Sequence, residues 1–129
     1  MSAAFDDDTL AGLRDGLRGT AIVDTDEAYD EARTVFNAMI DRRPALIVQC
    51  EEPSDVVRAV AFARERGLEV AVRGGGHSVA GMALTDGGVV IDLRRMNAVQ
   101  VDPDAKTAVV GGGAAMSHLD RACEPHRLA

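Results

Sequence analysis

Three consecutive glycines, Gly74, Gly75 and Gly76, stand between the run Val70-Ala71-Val72-Arg73 and the pair His77-Ser78. Without Cβ atoms, the backbone of such a run reaches positive φ and comes close to a bound group. Successive free N–H groups in a turn of this kind form an anion-binding concavity. His77 at the end of the loop would face whatever the loop holds, and Arg73 at its start offers donors suited to phosphate. The chemistry these residue types suit is the holding of a phosphate-bearing ligand with an imidazole set against it. Plainer readings exist for each part: a tight turn for the glycines, a hydrogen-bonded structural histidine, a solvated strand end for Arg73. The run is not G-x-G-x-x-G, and it lacks the Lys-Ser/Thr of a P-loop.

The other candidates are weaker. His118, Cys123 and His126 have ligating side chains, but no second close pair completes a tetrahedral set, and no metal site is expected. Cys50 and Cys123 form no C-x-x-C pair and read as two thiols of a reducing compartment. The acidic residues are scattered over helix faces with no pair placed for acid–base work, so no catalytic residue is assigned.

The glycine run needs elements to hold it. A helix is expected over residues 5–18, with Leu10, Leu13 and Leu17 on one face, ended by Gly19. A second, capped by Thr25 or Asp26, should run to about Arg42 with Ala28, Ala32, Val35, Phe36, Met39 and Ile40 on one side; Pro44 stops it. Residues 45–49 read as a buried strand. A helix with Ser54 as N-cap follows and ends at Arg66-Gly67. Residues 68–72 read as a second strand, so strand, helix and strand form a βαβ unit with parallel strands. The glycine run leaves the carboxyl end of that second strand, where open α/β sheets bind ligands. Residues 89–93 form a further strand, and residues 99–101 and 107–110 a hairpin around Asp102-Pro103-Asp104. A second glycine cluster, Gly111-Gly112-Gly113, precedes a helix starting at Met116.

The chain has 129 residues, enough for one domain or part of one. Its hydrophobic fraction of 47% fits a folded chain, while 3% aromatics and no Trp leave no stacking platform for nucleic-acid bases. A net charge of −7 likewise provides no cationic field for a nucleic acid. Lys106 is the only lysine, a balance of acids and arginine that suits a high-GC and salt-adapted proteome. There is no apolar run of about 18 residues, hence no expected membrane span. Residues 1–8 lack the parts of a signal peptide, and a cytoplasmic location is expected.

The segments Ala45-Leu46-Ile47-Val48, Ser54-Asp55-Val56, Ala63-Arg64, Val70 to Ser78, Gly81 and Val90-Ile91-Asp92-Leu93 together resemble the start of flavin-dependent oxidases with a PCMH-type FAD-binding domain. The likeness is greatest to the berberine bridge enzyme-like branch, and it continues through Gly111-Gly112-Gly113 to Pro125-His126. It implies an α/β (α+β) fold: the N-terminal subdomain of that domain, with a βαβ unit, a hairpin and flanking helices. Residues 1–22 would be an N-terminal helical segment and residues 23–129 a partial PCMH-type domain.

The resemblance further implies FAD as cofactor. Arg73, Gly74, Gly75, Gly76, His77 and Ser78 would line its pyrophosphate and ring, Gly81, Met82 and Ala83 would continue along it, and His77 would be the covalent tether to the flavin. Neither Cys50 nor Cys123 stands where some members carry a second, cysteinyl link. The family's His-Gly-Leu-Ala run is replaced by His126-Arg127-Leu128-Ala129, where the sequence stops. The rest of the FAD domain, the substrate domain and the catalytic base are therefore expected on a missing C-terminal half or a partner chain. The expected function is the FAD-binding part of an oxidoreductase acting on a small-molecule substrate, inactive by itself. The alternatives are a stand-alone flavin- or nucleotide-binding module that needs a partner chain, or an inactive truncated remnant.

Overall fold

The computed structural model describes residues 4–35, 39–75, 82 and 84–128. Helix α1 (Asp7–Gly16) begins where the Asp6 carboxylate accepts the Thr9 N–H at 2.7 Å; Asp7 and Asp8 lie in its first turn and Arg14 in its last. That charge order complements the helix dipole. The helix ends before Gly19, because the N–H groups of Arg18 and Gly19 are drawn to the Asp55 carboxylate, each at 2.9 Å. The stretch expected to be a helical segment, residues 1–22, also contains a strand, β1 (Thr20–Ile22).

The long helix expected up to Arg42 does not form. Only α2 (Tyr29–Ala32) is helical among the described residues of that stretch. The Arg33 guanidinium bonds Asp30, Asp41 and the Arg42 carbonyl. In a straight helix residues eight or nine apart are about 12 Å or more apart along the axis, so the bonds to Asp41 and Arg42 suit a non-helical path. Tyr29 Oη then donates to the Pro44 carbonyl at 2.7 Å and closes the segment.

β2 (Leu46–Gln49), α3 (Pro53–Glu65) and β3 (Val70–Arg73) form the expected strand–helix–strand unit. Its strands are parallel but not adjacent. β4 (Val89–Asp92) lies between them and pairs parallel with both, while β1 pairs antiparallel with β2, giving the order β1-β2-β4-β3. Ser54 is not the cap of α3: Glu52 holds that position, Pro53 starts the helix, and Ser54 Oγ donates to the Glu52 carboxylate. The far end is as expected, with Gly67 at φ 62°.

The strands between the edges are apolar on both faces because both faces are covered. On one side Leu46, Val48, Val89 and Ile91 pack with Ala59, Phe62 and Ala63 of α3 and with Leu10 and Leu13 of α1. On the other, Ile47, Ala71 and Val90 pack with Ile22, Tyr29, Ala32, Val35 and Leu84.

A separate two-stranded antiparallel sheet follows, β5 (Val99–Asp102) with β6 (Thr107–Val110), its turn held by the Asp102 carboxylate accepting from the Asp104 and Ala105 N–H groups at 3.1 Å. Helix α4 (Met116–Cys123) packs against β5, and one 3-10 turn, Glu124–His126, follows. Every residue of β6 is exposed, including Val109 and Val110. A free edge with apolar side chains invites pairing. The chain is expected to self-associate at micromolar concentration in light scattering, and a clean monomer there would contradict this.

Candidate functional site

The carboxyl ends of the three parallel strands coincide: Gln49, Asp92 and Arg73 are register partners in neighbouring strands. The sheet hydrogen bonding runs on past them, with the Leu93 N–H donating to the Arg73 carbonyl at 2.8 Å and the Cys50 N–H to the Asp92 carbonyl at 2.9 Å. The chain leaves β3 directly into Gly74-Gly75. The backbone there meets the second glycine cluster, since a Cβ on Gly74 would sit 2.8 Å from the Gly112 carbonyl oxygen. Two glycine runs some 40 residues apart in sequence are thus one structure. Only glycine permits such an approach.

The second cluster is anchored on the β4–β5 connection. Gly113 donates to the Met96 carbonyl at 3.1 Å, and a Cβ on it would overlap the Leu93 carbonyl. Gly113→Ala is expected to lower stability by about 1–3 kcal/mol through overpacking, read by chemical unfolding; an unchanged midpoint would show that this backbone can yield.

Charged side chains underlie the glycine turn. Arg73 is 4% exposed. Its Nη1 donates to the Ala32 carbonyl at 2.7 Å, and its Nε has no hydrogen-bond partner among the described residues. Burial lowers its pKa from the ordinary arginine value; Arg94 adds to that and Asp92 opposes it. Asp92 is buried and held by Arg94, whose Nη2 donates at 2.7 Å and whose Nε reaches both carboxylate oxygens at 3.1 Å. Arg73 and Arg94 thus place two guanidiniums beside one buried carboxylate, while Arg95 at the same edge pairs with Glu51.

Beside these residues opens a cleft of about 420 Å³ lined by Ala28, Glu31, Ala32, Gln49, Asp92, Arg94, Arg95 and Asn97. Sequence reasoning did not single out Gln49, Asp92, Arg94 or the contact with Gly112. The available signal was that each polar residue follows an apolar strand run.

Of the expected ligand contacts, Arg73, Gly74, Gly75 and Met82 are described, and Met82 is exposed. Gly76, His77, Ser78, Gly81 and Ala83 lie outside the described residues. His118 serves its own helix, its Nδ1 accepting the Ala115 N–H at 2.8 Å at the start of α4. Among the described residues no three His, Cys, Asp or Glu side chains converge as metal ligands. Burial, aided by Asp55 and Asp92, pushes the Cys50 thiol up to about 11, which leaves it unreactive near neutrality. No helix of the described residues is long and apolar enough to cross a membrane.

A doubly covered mixed sheet that presents a glycine turn at the carboxyl ends of its parallel strands has the layout in which open α/β sheets bind ligands. Residues 44–129 match the family described as FAD binding domain, and the chain belongs to it. The chain is 38% identical over 97 residues to (R)-6-hydroxynicotine oxidase of Paenarthrobacter nicotinovorans, covering 75% of this chain and 21% of the oxidase. The crystal structure of 6-hydroxy-D-nicotine oxidase from Arthrobacter nicotinovorans superposes with a TM-score of 0.82 and 34% identity over 85% of this chain and 24% of that one. BBE-like 1 of Physcomitrella patens gives 0.75 and 30%, over 81% and 23%. The mixed sheet with its hairpin is thus the fold of the PCMH-type FAD-binding domain found in FAD-linked oxidoreductases. The chain spans less than a quarter of the length of these relatives.

Proposed function

We propose that this chain supplies the part of an FAD site that holds the cofactor's phosphates, within an oxidoreductase acting on a small molecule. One observation supports the reading: Gly74 meets Gly112 at the carboxyl edge of the sheet, where Arg73, Asp92 and Arg94 also stand. The residues fit the group. Glycine backbone admits a pyrophosphate, and a guanidinium such as that of Arg94 favours an anion there.

In this reading Gly74, Gly75, Gly76 and Ser78 present N–H groups to the pyrophosphate, and Gly81, Met82 and Ala83 follow the cofactor towards its ring. Arg73 contributes charge from beneath, and His77 is the covalent tether. The chemistry FAD supplies in such enzymes is acceptance of hydride from a substrate C–H, with electrons passed on to oxygen or another acceptor. What this chain does is bind, orient and keep the cofactor. The substrate contacts and catalytic base belong to regions beyond residues 1–129, and the enzyme works in the cytoplasm. FAD titrated into the purified chain should be bound saturably at one per chain, with loss of flavin fluorescence and displacement by ADP. A folded chain that shows no saturable binding would contradict the proposal.

A further inference from the structure

Arg73 is poorly suited to a purely stabilising role. A buried guanidinium whose Nε has no partner among the described residues costs stability relative to an apolar side chain of similar size. Its Nη1 bond goes to Ala32, 41 positions away in sequence and the last residue of α2, where a helix carbonyl lacks an internal partner. A second arginine repeats the arrangement on the far side of the glycine-rich segment. Arg42 Nη1 donates to the Leu84 carbonyl at 3.1 Å. Next to it the Arg43 N–H donates to Asp86 at 2.7 Å, and the Gly87 N–H to the Arg43 carbonyl at 2.9 Å.

Both flanks, Arg73 and residues 84–87, are therefore fastened to residues 32 and 42–43. Those residues are themselves linked: Arg33 bonds Asp30, Asp41 and the Arg42 carbonyl, and Tyr29 bonds the Pro44 carbonyl. β3 and β4 place only the strand ends, whereas these bonds determine how Gly74 departs and how Leu84 returns.

We propose that Arg73 and Arg42 are positioning residues, two latches that fix how Gly74-Gly75 leaves β3 and how Leu84 approaches β4, and so place the Gly74-Gly75 turn for FAD. The proposal rests on the FAD reading above. Neither guanidinium needs to touch the cofactor; each acts through the backbone it holds.

The test compares the full chain with Arg73→Met, Arg73→Lys and Arg42→Met. Arg73→Met fills the same space without a buried donor, so its thermal midpoint should stay within a few degrees of wild type. Amide exchange at Gly74 and Gly75 should nevertheless rise at least tenfold, and FAD should bind at least tenfold more weakly. Arg73→Lys, whose ammonium can still donate to the Ala32 carbonyl, should restore most of both. Arg42→Met should raise exchange at Leu84, Thr85 and Asp86, and it provides the reading if Arg73→Met fails to fold. Unchanged exchange in folded variants would overturn the latch, and so would lysine performing no better than methionine. Raised exchange with unchanged FAD affinity would overturn its bearing on the cofactor. Raised exchange in a chain whose wild type binds no FAD would uphold the latch while removing the FAD reading.

Discussion

Alanine at position 77 is expected to leave no acid-stable flavin on the protein. Attachment to the flavin requires a nucleophilic side chain, and in the proposed arrangement the imidazole of His77 is that nucleophile. It follows Gly76 in the run that leaves β3 at Arg73, and the start of that run is set against Gly112. Other side chains are poor substitutes: a serine such as Ser78 is a weak nucleophile unless a base activates it, and Cys50 is buried with its thiol pKa raised to about 11. The effect should be all-or-none, unlike the graded loss from a weakened contact. Absorbance of the acid-precipitated protein near 450 nm measures it. Wild type assembled with flavin should give a yellow pellet and His77→Ala a colourless one, with any flavin released to the supernatant. Yellow retained in the alanine pellet would assign the tether elsewhere.

The second large effect concerns stability. Asp55 is fully buried, and its carboxylate accepts the N–H groups of Arg18 and Gly19 at 2.9 Å and of Glu51 at 3.0 Å. It joins the end of α1, the approach to β1 and the start of α3 at one point. Burial pushes its pKa up, but the N–H groups of Glu51, Arg18, Gly19 and Glu52 together outweigh burial and hold it below the ordinary carboxylate value.

Asp55→Ala leaves three part-buried N–H donors without their acceptor and should destabilise the chain by about 1–3 kcal/mol. Asp55→Asn keeps one acceptor oxygen and should cost less. The sign of the pH dependence follows from the lowered pKa. The contribution is fully present above the unfolded carboxylate value of about 4 and disappears as pH falls through the lower folded value. Urea midpoints measured from pH 6 down to pH 2 should therefore converge for wild type and Asp55→Ala at the acid end. A gap that stays constant over that range would mean that the carboxylate's charge is irrelevant.

Much of this fold is legible in the residues themselves. The strands at 46–49, 70–73 and 89–92 are short β-branched runs bounded by Pro, Gly or charge, and the last turn of α3 carries its stop signal in Arg66-Gly67. What the chain pattern does not contain is spatial order. Nothing in Val89-Val90-Ile91-Asp92 says that it inserts between β2 and β3, against the common tendency of sequential strands to be neighbours. The helix expected up to Arg42 rests on apolar spacing, a Thr25 or Asp26 cap and the Pro44 stop. It does not persist past Ala32, because helix propensity is a weak preference that tertiary context overrides. At the site, the glycines and Arg73 are visible as residue types. Arg73 reads naturally as a phosphate ligand, yet its buried guanidinium points to Ala32, and the meeting of Gly74 with Gly112 depends on the whole path from β4 to β6.

FAD is held, in the central claim, at the Gly74-Gly75 turn on the carboxyl edge of the sheet. Backbone amide chemical shifts recorded while FAD is added test this most directly. The largest changes should fall at Gly74 and Gly75, at Gly112 across the contact, and at Asp92 to Arg94 on the adjoining strand end, with β5 and α4 little affected. Saturable changes confined to α4 and the hairpin, with Gly74 and Gly75 unmoved, would contradict it.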